Sequence, residues 1–206
     1  AGQAMAAQLA RRGLEAAAVV LDPQHDVVVL DRQVQLHLAR AGVRVRVIHD
    51  WMGGFGAGSR RLLASVAAAG AEVRLFNPPR LDAPFGWLSR DHRKMMSVDG
   101  RIGFVSGLCV SAKWAADPAS GRDPWRDTGV EIRGPAVADI DRAFAETWAE
   151  IGEPLPPGEP DGDEGVSAPV GDVSLRVLAS VPNVAAVYRL DQLIASMANE
   201  TLWLTR

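Results

Sequence analysis

Three times within the first 76 residues, an alanine-rich stretch closes on glycine and a short β-branched run follows. The copies are Leu9-Ala10-Arg11-Arg12-Gly13 before residues 16–21, Leu38-Ala39-Arg40-Ala41-Gly42 before residues 43–48, and Val66-Ala67-Ala68-Ala69-Gly70 before residues 73–76. Glycine just past a helix supplies the left-handed cap, and the β-branched run reads as a strand. Repeated helix-to-strand steps constrain the chain to parallel strands covered by helices. For the first copy, residues 27–30 offer a competing strand. In the second, Val43, Val45 and Val47 alternate with Arg44 and Arg46, so that strand has one polar face or lies near an edge. Ser59 is a good N-cap for the third helix. Arg44, Arg46, Arg60 and Arg61 read as solvated faces.

The next region changes character. Residues 93–98 and 101–106 are two strand-like runs separated by Asp99-Gly100, a strong hairpin signal. Residues 129–132 form a further strand. Pro135 opens a helix at a position where proline is tolerated. Val137, Ile140, Phe144, Trp148 and Ile151 recur at helical spacing and mark its core-facing stripe, and Gly152 ends it. Residues 153–172 are rich in proline, glycine and acidic side chains and have no apolar period, as a linker does. Residues 173–178, 187–198 and 201–205 then read as strand, helix, strand. The expected organisation is a domain over residues 1–152, an acidic linker over 153–172, and the start of a second, incomplete domain over 173–206. The fold class is α/β: a mixed β-sheet flanked by helices.

A net charge of −3 and a pI of about 5.8 argue against a nucleic-acid binder that relies on bulk positive charge. Cys109 is the one cysteine, so neither an internal disulfide nor a cysteine-based zinc site can form. No apolar run approaches the ~20 residues that span a bilayer. The alanine-rich start lacks the charged-then-apolar order of a signal peptide, and the chain does not begin with methionine, which suggests a segment of something longer.

The chemistry concentrates in Asp91-His92-Arg93-Lys94-Met95-Met96-Ser97-Val98-Asp99-Gly100. On a strand, alternate residues share a face, so His92 and Lys94 point together. A histidine can attack phosphorus or shuttle a proton near neutral pH, and a lysine beside it supplies fixed positive charge for phosphate oxygens. The pair suits phosphodiester chemistry without a metal. With Asp99-Gly100 as a two-residue turn, Val98 faces Arg101, Lys94 faces Val105, and His92 faces Gly107, where the missing side chain leaves room for a phosphate. Asp99 sits at the turn and holds it through side-chain to backbone hydrogen bonds. The other histidines and the Met95-Met96 pair read as structural.

His92-x-Lys94-x-x-x-x-Asp99, followed after six residues by the small pair Ser106-Gly107, resembles the HKD motif of the phospholipase D superfamily. Asp50-Trp51-Met52-Gly53, Phe76-Asn77-Pro78, Arg90-Asp91-His92-Arg93-Lys94, Pro124-Trp125-Arg126-Asp127-Thr128 and Gly134-Pro135-Ala136-Val137 resemble its bacterial cardiolipin synthases more closely. The resemblance runs from about residue 43 to 152, and from residue 173 the chain looks like the beginning of the family's second half. It implies a phospholipase-D-like sandwich, no cofactor, and a site at which two such motifs meet. One histidine forms a covalent phosphohistidine, the other protonates the leaving alcohol, and a second alcohol takes the phosphatidyl group. His92 matches the motif's histidine, Lys94 its phosphate-binding lysine and Asp99 its aspartate. Asp127 resembles the acidic residue that orients the histidine; the alternative is a surface ion pair with Arg126. Ser106, Gly107 and Cys109 fall on the phosphate-binding positions.

Cys109 stands where the family usually has asparagine, and a thiol is the weaker donor. No second motif follows, since His25, His37 and His49 each lack a lysine two residues on. The second motif therefore comes from a missing C-terminal half or from a second copy in trans, or catalysis has been lost. The expected partner is a phospholipid resembling phosphatidylglycerol, with nucleic acid disfavoured. A single-motif dimeric nuclease and a non-catalytic binder of anionic headgroups are the competing readings. Membrane association is expected to be peripheral and on the cytoplasmic side, through Phe85, Trp87 and Leu88 just before the motif; a core-facing loop is the alternative there.

Overall fold

The computed structural model describes residues 44–52, 57–82, 88–107, 121, 123, 128–159, 168–179 and 186–203. The first helix-strand copy and the helix of the second lie outside them. Two sheets form among the described residues. In the first, β1 (Arg46–Asp50) pairs in parallel with β2 (Glu72–Phe76), placing Arg46 opposite Glu72 and Asp50 opposite Phe76. The crossover is α1 (Ala57–Ala68). This is the parallel pair that the helix-to-strand repeat predicts. The helix begins two residues before Ser59, so Ser59 lies within it and is not its cap. Its far end closes as expected: Gly70 N–H donates to Ala67 O at 2.9 Å and Gly70 takes a φ of 99°, where a side chain would be strained.

The β1 strand is displaced from the expected residues 43–48 towards Asp50. Its extent follows its partner: Glu72 N–H donates to Val45 O at one end and Trp51 N–H to Phe76 O at the other. Arg60 and Arg61 are exposed as expected, but Arg46 is not solvated. Only 13% of its side chain is exposed, and it pairs with Glu159 and, at 3.1 Å, with Glu72. Arg44 also reaches Glu159, at 2.7 Å, from a largely exposed position. Glu159 is itself buried, so the proline- and glycine-rich stretch after Gly152 is tied down on β1 there.

The second sheet is antiparallel, in the order β3 (Met95–Val98), β4 (Ile102–Ser106), β5 (Gly129–Arg133). Asp99 and Gly100 form the hairpin turn, both at positive φ (54° and 62°), and Arg101 N–H donates to Val98 O at 3.0 Å. Such mirror-image turns match the twist of the strands they join. The register corrects the expected one by a residue: Val98 pairs with Ile102, not Arg101, and Met95 pairs with Val105. Directly opposed residues share a face, and a slip of one would set exposed Arg101 against buried Val98. The observed register pairs two buried apolar side chains instead, and Arg101 is left outside the ladder.

The α2 helix (Val137–Glu150) starts just beyond Pro135, with Ala136 at its N-cap. Its stripe is apolar as predicted: Val137, Ile140 and Trp148 are buried, joined by Ala143 and Thr147, while Phe144 and Ile151 are half-buried. Val137 and Ile140 form a core with Ile132, flanked by Met95 and Val177. Gly103 makes the close approach of helix to sheet possible, since a Cβ there would lie 2.3 Å from Ile140 Cδ1. Gly134, at φ 88°, turns the chain from β5 into the helix, and residues 168–170 pass directly over it.

The strand expected at residues 173–178 does not form; residues 168–179 run irregularly, with Val177 against the core. The helix expected next is present as α3 (Ala186–Ser196), with Leu193 and Ile194 exposed, as is Met197 just beyond its end. Residues 201–203 are not a strand, and the remainder of that expected element lies outside the described residues. The architecture is a mixed α/β one, with a parallel pair and an antiparallel sheet flanked by helices. No helix among the described residues is long and apolar enough to cross a membrane.

Candidate active site

Residues 90–94 approach the sheet before β3 begins, so His92 and Lys94 are not strand residues. The expected face-sharing by strand alternation therefore does not place them. Other contacts do. Lys94 Nζ donates to His92 O at 2.7 Å, which folds the ammonium back along the histidine's own backbone. Ser106 N–H donates to Lys94 O at 3.0 Å, which extends the β3–β4 ladder by one rung and brings Ser106 beside Lys94. Gly107 follows at the exposed end of β4, and Gly129 of β5 pairs with Ser106 on the other side. The expected pairing of His92 with Gly107 is not made, because the β3 strand begins only at Met95. The His92 side chain is exposed, and that of Lys94 is half-buried.

Asp99 is not brought to this group. It occupies the exposed turn at the far end of β3, about 17 Å of extended chain from Lys94 at 3.3–3.4 Å per residue. Cys109 and Asp127 lie outside the described residues, as do Phe85 and Trp87; Leu88 is exposed.

A polar network around the histidine was not foreseen. Asp50, at the end of β1, accepts from Arg90 Nε at 2.8 Å, from the Asp91 backbone N–H at 2.9 Å and from the Met52 N–H at 3.0 Å. The Asp91 carboxylate receives three bonds from Arg93: the backbone N–H and Nε on one oxygen, both at 3.0 Å, and Nη2 on the other at 2.7 Å. Such forked pairing fixes orientation as well as charge. Arg93 also reaches α2, donating to Ala143 O at 3.3 Å and to Thr147 Oγ1. Upstream, Asn77 Nδ2 donates to Ser89 O at 3.2 Å. Alternating charges on either side of His92, and a threonine on the buried face of an apolar helix, are the signals that could have revealed it.

Burial pushes the His49 imidazole below its ordinary pKa, and neighbouring Asp50 raises it by a smaller amount. Its Nε2 is buried without a partner among the described residues.

Sequence comparison brings independent information. The chain is 33% identical over 175 residues to cardiolipin synthase A of Pseudomonas fluorescens strain SBW25, an alignment covering 80% of this chain and 34% of that protein. It is 32% identical over 194 residues to cardiolipin synthase A of P. fluorescens strain Pf-5, covering 85% and 37%. Against the cardiolipin synthase of Halalkalibacterium halodurans it is 32% identical over 130 residues, covering 60% and 25%. The chain thus spans about a third or less of the length of these curated relatives. No protein-family model matches it, and no solved structure does. Over most of its length, the chain is a sequence relative of one part of the bacterial cardiolipin synthases.

Proposed function

We propose that this chain supplies one half of a phosphatidyltransferase site that acts on phospholipids through a phosphohistidine. The supporting observation is the exposed imidazole of His92 on a backbone held at both sides, with the Lys94 ammonium 2.7 Å from its carbonyl. In this reading a ring nitrogen of His92 attacks phosphorus and the phosphorus–oxygen bond to the leaving alcohol breaks. A histidine from a second motif, in trans or in a C-terminal half, protonates that alcohol. An acceptor alcohol then attacks phosphorus, giving its proton to that second histidine, and the nitrogen–phosphorus bond to His92 breaks. Lys94 stabilises the charge on the non-bridging oxygens, where a preorganised cation is most effective. Two of its three N–H donors remain for that role beside the bond to His92 O.

Ser106, Gly107 and Cys109 would line the phosphate, and Asp127 would orient the imidazole through its other nitrogen. Asp99 serves the hairpin turn. The substrate fits phosphatidylglycerol, presented at a membrane surface that Trp87 and its neighbours touch. A second reading is retention of an anionic headgroup without turnover, favoured by Cys109 where asparagine would donate a stronger hydrogen bond.

The test is turnover of phosphatidylglycerol in mixed micelles by the purified chain, read by mass spectrometry beside His92→Ala. Cardiolipin or phosphatidic acid that disappears in the variant supports the transferase reading. Headgroup binding by a well-folded chain, retained in His92→Ala and never followed by product, supports the binding reading.

A further inference from the structure

His92 lies outside any regular element, yet several backbone groups around it have a partner. Asn77 holds Ser89 O, Asp50 holds Asp91 N–H, Asp91 holds Arg93 N–H, Lys94 holds His92 O, and Ser106 N–H holds Lys94 O. Segments without a ladder ordinarily keep their polar groups in water and move freely. Here two side chains anchor the segment to opposite parts of the fold. Asp50, 10% exposed, ties its upstream side to the end of the parallel sheet through Arg90 and the Asp91 N–H. Arg93, 17% exposed, ties its downstream side to α2 through Ala143 O and buried Thr147. The two anchors meet at Asp91, whose backbone binds Asp50 and whose carboxylate binds Arg93.

We infer that Asp50 and Arg93 are positioning residues that lock the backbone on either side of His92, so that an exposed imidazole is presented in one orientation. The inference rests on the reading of His92 as the reacting group, and it adds what that reading lacks, a reason for a loop histidine to be ordered before substrate arrives. Reactions at phosphorus depend on such preorganisation, because a misplaced nucleophile must recover the lost geometry in every turnover.

The test is NMR relaxation of the full chain without substrate, comparing wild type with Asp50→Asn and Arg93→Lys. It follows the amides of residues 91–93 and the His92 ring, beside the melting temperature. In the wild type, amide order parameters near ~0.85 are expected despite the absence of a strand, falling below ~0.6 in both variants. The amides of β3 and β4 should keep their order, and the His92 ring should lose order with its backbone. A wild-type segment already below ~0.6, or one whose order survives both substitutions, overturns the inference. A melting temperature that falls while the segment keeps its order also overturns it, since that describes a merely structural bond. If either variant does not fold, Thr147→Val decides, because it removes one acceptor of Arg93 with little change in shape. Loosening of residues 91–93 on that folded chain supports the inference, and unchanged order overturns it. The relaxation needs no turnover, so an inactive chain with an ordered segment counts against the transferase reading alone. A mobile segment in a chain whose turnover depends on His92 counts against the positioning alone.

Discussion

The guanidinium of Arg74 lies 3.8 Å above the centre of the Trp148 ring and donates to the carbonyl of the same tryptophan at 2.7 Å. The same Nη1 also reaches Glu153 O at 2.7 Å, so one side chain of β2 holds the end of α2 and the start of the following segment. Trp148 is almost fully buried and stacks on Phe144, 5.5 Å between centres. Arg74→Ala removes a partly desolvated cation–π contact and two charge-assisted bonds, a loss of about 2–3 kcal/mol. Arg74→Lys keeps the charge without the planar fork and should recover less than half. Urea unfolding measures both, and an unchanged midpoint for Arg74→Ala would refute the role.

Gly103 is where α2 meets the antiparallel sheet. An alanine Cβ would stand 2.3 Å from Ile140 Cδ1, and Ile140 is buried with little room to turn aside. Gly103→Ala should therefore cost about 1–3 kcal/mol by overpacking. Ile140→Val removes the clashing methyl and alone costs about 0.5–1.5 kcal/mol. In combination the two should cost less than their sum, because the second relieves the first. Strict additivity in a double-mutant cycle would mean that the helix does not press on Gly103.

What could be read from the sequence was local. The helix-glycine-strand step before β2, the Asp99-Gly100 turn and the apolar stripe of α2 each depend on neighbours within a few residues, and all three formed. The hairpin register could not be read, because it depends on which side chains a third element buries: Ile102, not Arg101, opposes Val98. The anchoring of His92 was hidden for the same reason. Asp50 and Asp91 are 41 residues apart, and Arg93 and Thr147 are 54 apart; the charges around His92 and the threonine in an apolar stripe hint at polar contacts but do not name their partners. Arg46 looked like a solvated strand residue until Glu159, 113 residues later, came to lie on it.

That contact makes a further prediction. Glu159 is buried against Arg46, with Arg44 contributing from the surface, where an ion pair is worth little. Glu159→Gln leaves the Arg46 charge to Glu72 alone and should cost about 2 kcal/mol, below the ~3–5 kcal/mol for stranding a fully buried partner. The loss should be local. Limited proteolysis should cut between residues 153 and 159 several times faster in the variant, while the rest of the domain resists. Equal cleavage would show that Glu159 does not fasten this segment.

Membrane contact is predicted from the sequence around Pro84-Phe85-Gly86-Trp87-Leu88. An aromatic ring with a polar edge is stabilised at the headgroup level of a bilayer. Trp87→Ser should weaken sedimentation with phosphatidylglycerol vesicles while leaving the melting temperature unchanged. Unaltered sedimentation removes Trp87 from the membrane surface, and a large fall in melting temperature makes it a core residue.

His49 should contribute to the response to acid. Its folded pKa is lowered chiefly by burial, against a smaller opposing effect of Asp50, and its unfolded value is near 6.5. Below that pH the unfolded chain takes up a proton that the folded chain resists, so unfolding becomes easier as protons are added. The contribution of His49 to stability is therefore complete above pH 6.5 and is lost as pH falls from 6.5 through the depressed folded value. Its unpartnered Nε2 adds to the effect, since a buried imidazolium would carry a second N–H without an acceptor. His49→Leu should flatten this part of the stability profile, which chemical denaturation between pH 7.5 and pH 5 reads directly. Wild-type stability that falls no more steeply than that of His49→Leu would place the acid response on other groups.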